Sequence, residues 1–169
     1  LEKLKSSAYK DKKIVIAGCR IRRTNSNKLQ HAGTYMPDFT YWGQQMGGNE
    51  KDINQYNEER EVEGVVFACV YIKAEVIDRI GLLDEDYFSY FEDTDYCFKA
   101  REAGFSVAIC GSLTILHREH ASTVVNRVNH KELFLASQKI FKEKWLSVLD
   151  KRFDMQVVWH STFSKPLGY

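Results

Sequence analysis

What the chain lacks narrows its class first. It has no surplus of either charge: 24 basic residues face 23 acidic ones, a net charge of +1 over 169 residues. Nothing in that balance marks nucleic acid as a partner. Its four cysteines, Cys19, Cys69, Cys97 and Cys110, form no CxxC pair, which argues against a zinc site or a disulfide framework. They read instead as the reduced thiols of a cytoplasmic protein. No apolar run approaches the roughly 18 residues of a membrane span, and the Lys-rich opening carries no signal-peptide core. The first residue is Leu1 rather than Met, so the expectation is a piece of something longer. What remains has the length of one domain with a real core.

The most informative stretch runs from Ile80 to Ser122. At its centre, Glu92, Asp93 and Asp95 fall within four residues, flanked by Tyr87, Phe88, Tyr90, Phe91 and Tyr96. Rings of that size favour burial, so the carboxylates are expected at the rim of a packed site, where ionisable groups do chemistry. The pattern predicts a helix from Glu92 to Ala103 with Gly104 just past its end. The acids would then occupy the cap and first turn, where the helix dipole favours negative charge. Two short strands are expected next, Phe105–Ile109 and Leu113–Leu116, the second leading into His117. An acid at a helix start and a histidine at a strand end can converge at one edge of a sheet, where α/β proteins bind ligands.

The rest reads more plainly. Leu1–Lys13 suits a helix remnant. Ile14–Ala17 reads as a strand ended by Gly18, and Arg20, Arg22 and Arg23 as a solvated strand face. Thr24–Arg60 reads as a long loop; Tyr35, Phe39, Tyr41 and Trp42 give it either an acceptor-binding or lid role, or a packing one. Val65–Ile72 predicts a central strand buried on both faces, and Lys73–Ile80 a short helix. Asn129–Leu149 reads as an amphipathic helix with Leu133, Ala136, Ile140, Phe141, Trp145 and Val148 on one face. Residues 151–169 form a tail in which Val157, Val158 and Trp159 suit an edge strand.

The run Ile80-Gly81-Leu82-Leu83-Asp84-Glu85-Asp86-Tyr87-Phe88-Ser89-Tyr90-Phe91-Glu92-Asp93-Thr94-Asp95-Tyr96-Cys97-Phe98-Lys99-Ala100, followed by Gly104-Phe105, His117 and Ser122, resembles the C-terminal half of the catalytic domain of family 2 inverting glycosyltransferases. These are GT-A fold enzymes of the rhamnosyltransferase-like kind. Phe141-Lys-Glu-Lys-Trp145 is similar to an ending common in that family, and a His-Ala-Gly element like His31-Ala32-Gly33 occurs there too. Where this chain has Ala68-Cys69, the family usually has Gly-Ala.

The resemblance implies an α/β chain with an incomplete GT-A (nucleotide-diphospho-sugar transferase) fold, a small mixed sheet with packed helices. Residues 1–150 would be the acceptor-side part and 151–169 the tail. It implies Asp93 as general base with Glu92 beside it, Asp95 at the acceptor with Trp42 and Tyr90, and His117 on a divalent metal, Mn²⁺ or Mg²⁺. The implied partners are a UDP- or dTDP-linked sugar donor and a saccharide or lipid-linked acceptor. The sheet edge and apolar surface that truncation would expose add a second copy of the chain, and the balanced charge gives no nucleic acid. The implied location is cytoplasmic or peripheral to the inner face of the membrane. Family members carry the nucleotide pocket and an Asp-x-Asp metal motif in a preceding half. The expectation is that this half is missing here and that the piece alone is a poor catalyst. Asp84-Glu85-Asp86 has Asp-x-Asp spacing but falls on an element that looks structural. Two alternatives stand beside this reading: a carbohydrate-binding or oligomerisation module without turnover, and a metal-dependent phosphohydrolase using Asp84, Asp86, Glu92, Asp93 and Asp95.

Overall fold

A computed structural model describes residues 1–37, 41–118 and 129–163, with 152–163 as backbone alone. Phe39, Ser122 and residues 164–169 lie outside the described residues. The elements in chain order are helix α1 (Glu2–Ala8), strands β1 (Ile14–Arg23), β2 (Leu29–His31), β3 (Thr34–Tyr35), β4 (Gln44–Gln45), β5 (Arg60–Val62) and β6 (Val70–Ile72), then helices α2 (Ala74–Ile80) and α3 (Glu92–Glu102), strand β7 (Ser106–His117) and helix α4 (His130–Phe163). The chain is thus an α/β protein.

Its sheet is mixed and centred on two long strands. β1 and β7 run parallel along most of their length, from Ile14 opposite Ser106 to Arg23 opposite His117. The order is β2-β1-β7-β5, with β6 also pairing β1; β2, β5 and β6 all pair antiparallel. β3 and β4 make a separate two-stranded hairpin. Side chains alternate across a strand, and the two faces find different partners. Ile16, Val107 and Ile109 pack with Val65, Val76, Tyr96, Cys97 and Ala100 under α2 and α3. On the other face, Cys19 and Cys110 pack with Leu4 of α1. α4 adds an outer layer: Phe141, Trp145 and Leu149 bury against Met36, Tyr41, Tyr87, Phe91 and Phe98.

Several expectations hold. α1, α2 and α3 stand where the periodicity puts them, and Gly104 adopts φ +86°, the left-handed reversal that glycine accepts without strain. Others need correction. Gly18 does not end β1 but sits within it, because the Val65 side chain packs where a Cβ would go, 2.6 Å from Val65 Cβ. The two strands expected over residues 105–116 are one, β7, whose pairing with β1 shifts register between Cys19 and Arg20. The apolar run Val65–Ile72 is not a central strand. Only Val70–Ile72 pairs, at the side of β1, and residues 65–69 turn across the start of α3. Hydrophobicity there reflects packing under the helices, not a sheet position.

Arg20 is not part of a solvated face. It is buried and lies 3.2 Å from Asp52, which supplies the countercharge that burial requires. Thr24–Arg60 is not one long loop, since β2, β3 and β4 interrupt it. α4 does not end near Leu149 but continues to Phe163, so Val157–Trp159 are helical and not an edge strand. β-branched and aromatic residues favour strands only where a partner strand exists; here a helix anchored upstream propagates through them.

Candidate active site at the start of the third helix

The acidic cluster sits on a turn with an unusual backbone. Tyr90 and Phe91 both hold positive φ, 68° and 67°, a conformation that costs roughly 1–3 kcal/mol for a residue with a side chain. Its surroundings hold it there. Tyr96 Oη donates to the Gly81 carbonyl (2.9 Å), Lys99 Nζ to that of Leu82 (3.2 Å), and Ser137 Oγ of α4 to that of Ser89 (2.6 Å). Phe91 itself buries among Phe98, Phe141 and Trp145. The 81–91 segment is thereby clamped between two helices and delivers the acids at the start of α3.

The three carboxylates then meet different fates. Asp95 is fully buried. Its oxygens accept Trp145 Nε1–H (2.8 Å), Lys144 Nζ (2.9 Å) and Tyr87 Oη–H (3.3 Å), so it fastens α4 to α3. Asp93 accepts the backbone N–H of Thr94 (2.7 Å), the Thr94 hydroxyl (3.2 Å) and the N–H of Phe67 in the 65–69 turn (3.3 Å). Burial pushes its carboxyl above the ordinary range, and those hydrogen bonds only partly offset it. Glu92 is also pushed up, by burial and then by the neighbouring Asp93 charge. Its Oε2 is buried without a hydrogen-bond partner among the described residues. A native structure rarely leaves such an atom unsatisfied, and functional sites are one place where it does.

Aromatic side chains stand beside this pair. Phe134 of α4 contacts Trp42, Tyr90 and Phe91 at ring-centroid distances of 4.9, 5.7 and 5.2 Å. Trp42 remains 53% exposed. Tyr90 Oη lies 2.7 Å from His130 Nδ1, and the Glu92 charge helps raise the Tyr90 phenol pKa after burial does. Tyr90 therefore bridges the carboxylates and the aromatic wall.

His117 stands half-buried at the end of β7, with Nδ1 3.0 Å from Gln30 Oε1. It connects to Asp93 through intermediates: Phe67 meets Asp93, the adjoining Val66 N–H reaches His31 Nε2 (3.2 Å), and Gln30 precedes His31 in β2. His31 is fully buried, with Nδ1 on Gln45 Oε1. Burial lowers its pKa to about 4, so it is neutral and acts as a structural joint. Sequence reasoning missed this joint, because nothing near His31 in the chain announces Gln45 or Val66 as partners.

Among the described residues, no three His, Cys, Asp or Glu side chains gather in a way that could hold a metal ion. Asp84 is taken by Lys144 at 2.6 Å, which holds its carboxyl below the usual range, and its Oδ1 accepts the N–H of Asp86 (3.1 Å). Asp84-Glu85-Asp86 is thus a turn tied to α4. Lys144 also binds Asp95, so two of the five acids named for a phosphohydrolase, Asp84 and Asp95, are engaged in packing.

Comparison with known proteins adds one relationship. Among curated proteins, the chain is similar to the low-salt glycan biosynthesis hexosyltransferase Agl10 of Haloferax volcanii, 27% identical over 82 residues that cover 45% of this chain and 27% of that protein. That match supports a glycosyltransferase, at the level of the class. The chain spans about a quarter of the relative's length. No protein-family model matches, and no solved structure does. No helix among the described residues is long and apolar enough to cross a membrane.

Proposed function

We propose that this chain is the acceptor-side part of a family 2-like inverting glycosyltransferase of GT-A type, with Asp93 as its general base. The observation that carries the reading is the Glu92–Asp93 pair, two carboxyls whose pKa burial raises, at the helix start just after a strained turn, set beside an aromatic wall with an exposed indole. Inverting transfer needs a base to take the proton from the acceptor hydroxyl as that oxygen attacks the anomeric carbon. Burial raises the Asp93 carboxyl above the ordinary range, which makes its ionised form a stronger base than an ordinary carboxylate. Glu92, unpaired at Oε2, is placed to accept a hydrogen bond from an acceptor hydroxyl, and Trp42 and Tyr90 to stack on a sugar ring.

The donor is proposed as a nucleotide-diphosphate sugar, UDP- or dTDP-linked, and the acceptor as a saccharide or lipid-linked saccharide. Stabilising the departing diphosphate is assigned to sequence beyond this chain. A Mn²⁺ or Mg²⁺ requirement rests on the resemblance alone; His117 with Gln30 does not make a metal site by itself, and no step here is routed through one. Asp95, expected at the acceptor, is proposed instead as the structural member of the three.

Calorimetric titration tests the division of labour. The chain, Asp93→Asn and Trp42→Ala are titrated with oligosaccharide acceptors, and separately with UDP and dTDP with and without Mn²⁺. Acceptor binding that survives Asp93→Asn and weakens in Trp42→Ala supports the reading when the full-length Asp93→Asn enzyme also loses transfer by roughly 10²–10⁴-fold. Full transfer activity in that variant would overturn Asp93 as the base. Acceptor binding without any transfer by the parent full-length protein would leave a carbohydrate-binding module as the better account, a reading the exposed Trp42 favours independently.

A further inference from the structure

Three of the four cysteines lie in one row across the sheet. Cys19 of β1 stands opposite Cys110 of β7. The β1–β6 register runs Ile16 to Ile72, Ala17 to Tyr71 and Gly18 to Val70, so its next step sets Cys19 opposite Cys69. Cys19 Sγ lies 3.9 Å from the Cys69 carbonyl, which confirms the juxtaposition. Directly opposed residues of antiparallel strands have Cα atoms about 4.5–5.5 Å apart, inside the roughly 4.4–6.8 Å that a disulfide spans. All four cysteines are free thiols.

We propose that Cys19 and Cys69 are an oxidative modification site: a hydroperoxide converts the pair to a disulfide that pins the 65–69 turn to β1. The proposal does not depend on the transferase reading. Cys69 is the half-exposed member and meets the oxidant first. Its thiolate attacks a peroxide oxygen, the O–O bond breaks, and Cys69 becomes a sulfenic acid as water or an alcohol departs. Cys19 Sγ then attacks the sulfenic sulfur; the S–O bond breaks, and hydroxide leaves with the Cys19 proton as water. Two electrons pass from the two thiols to one peroxide.

Competing pairings are handicapped. Cys110 is buried, with its Sγ on the Lys3 carbonyl (3.8 Å) and Ser112 Oγ (3.6 Å). Burial keeps Cys97 a thiol by raising its pKa, and Cys19 likewise at about 12, which disfavours both for the first attack; its place beside Cys69 gives Cys19 the resolving step. The disulfide would bear on the candidate site because the pinned turn supplies the Phe67 N–H to Asp93.

The test treats the whole chain with hydrogen peroxide under native conditions, alkylates the remaining thiols and maps peptides without reduction. The expected product is a Cys19–Cys69 linkage about tenfold or more above any other pair, lost in Cys69→Ser and kept in Cys110→Ser. Hydrogen exchange at the Phe67 amide should slow by about tenfold in the oxidised chain as the turn loses its local openings. Sulfinic acid at Cys69 with Cys19 still alkylated, or a dominant Cys19–Cys110 linkage, would overturn the site. A Cys19–Cys69 linkage that leaves Phe67 exchange unchanged would overturn the pinning.

Discussion

Replacing Asp95 with alanine should cost this protein about 3 kcal/mol of stability, and the structure shows where that figure comes from. The Asp95 carboxylate is fully buried and receives Trp145 Nε1–H, Tyr87 Oη–H and Lys144. Truncation leaves two buried donors unpaired, each worth about 1–3 kcal/mol. Lys144 suffers less, since its side chain is 32% exposed and keeps Asp84 at 2.6 Å; that places the sum near the low end of the roughly 3–5 kcal/mol seen when a buried pair is broken. Asp95→Asn keeps an acceptor for the indole and phenol but loses the charge and the oxygen that receives Lys144, so about 1 kcal/mol is expected. Urea unfolding followed by tryptophan fluorescence and far-UV circular dichroism would read both, with stability extrapolated linearly to water. A cost below about 1 kcal/mol for alanine, or equal costs for alanine and asparagine, would refute the reasoning. The network would then not be what holds α4.

The remaining expectations concern pH. His31 is lowered from 6.5 to about 4 by burial, so the unfolded chain takes up its proton first on acidification. Its contribution is complete above about pH 6.5 and is lost as pH falls towards 4, on the order of 3 kcal/mol in all. Urea midpoints across that window should decline less in His31→Gln than in the parent, and parallel declines would exclude His31 as the cause. Glu92 has the opposite sense: its folded pKa is raised above the ordinary 4.5, so folding favours its protonated form and its burden is felt as pH rises. Glu92→Gln should therefore be more stable than the parent at pH 7, by roughly 0.5–1 kcal/mol. The gain should shrink near pH 4, as followed by thermal melts at both values. A variant less stable than the parent at neutral pH would mean that Glu92 has a stabilising partner.

Sequence made the local elements legible and hid the long-range ones. α3 announces itself through the acids at its start and Gly104 at its end, since both signals act within a turn of the residues that carry them. The sequence pattern stops β1 at Ala17 because Gly18 looks like a terminator, whereas the distant Val65 side chain explains a glycine in mid-strand. Val65–Ile72 misled for a related reason: an apolar run declares burial but does not say whether strands or helices provide the cover. The match between Arg20 and Asp52 joins residues far apart in the chain, which no periodicity reveals.

The acidic cluster shows the same limit at finer scale. Glu92, Asp93 and Asp95 look equivalent as a row of carboxylates at a helix start, yet at 3.6 residues per turn Asp93 and Asp95 point to nearly opposite sides of α3. Asp95 turns towards α4 and finds a full set of donors. Asp93 turns towards the 65–69 turn, where backbone N–H groups hold it without a countercharge. The difference is set by Lys144 and Trp145, about fifty residues downstream, and not by anything adjacent to the acids. A carboxylate neutralised by a cation is a fastening, whereas Asp93, with only N–H and hydroxyl donors to offset its burial, keeps a raised pKa. The same helical turn thus carries a fastening in Asp95 and, in Asp93, the carboxylate proposed as the base, and it is the helical period that faces them different ways.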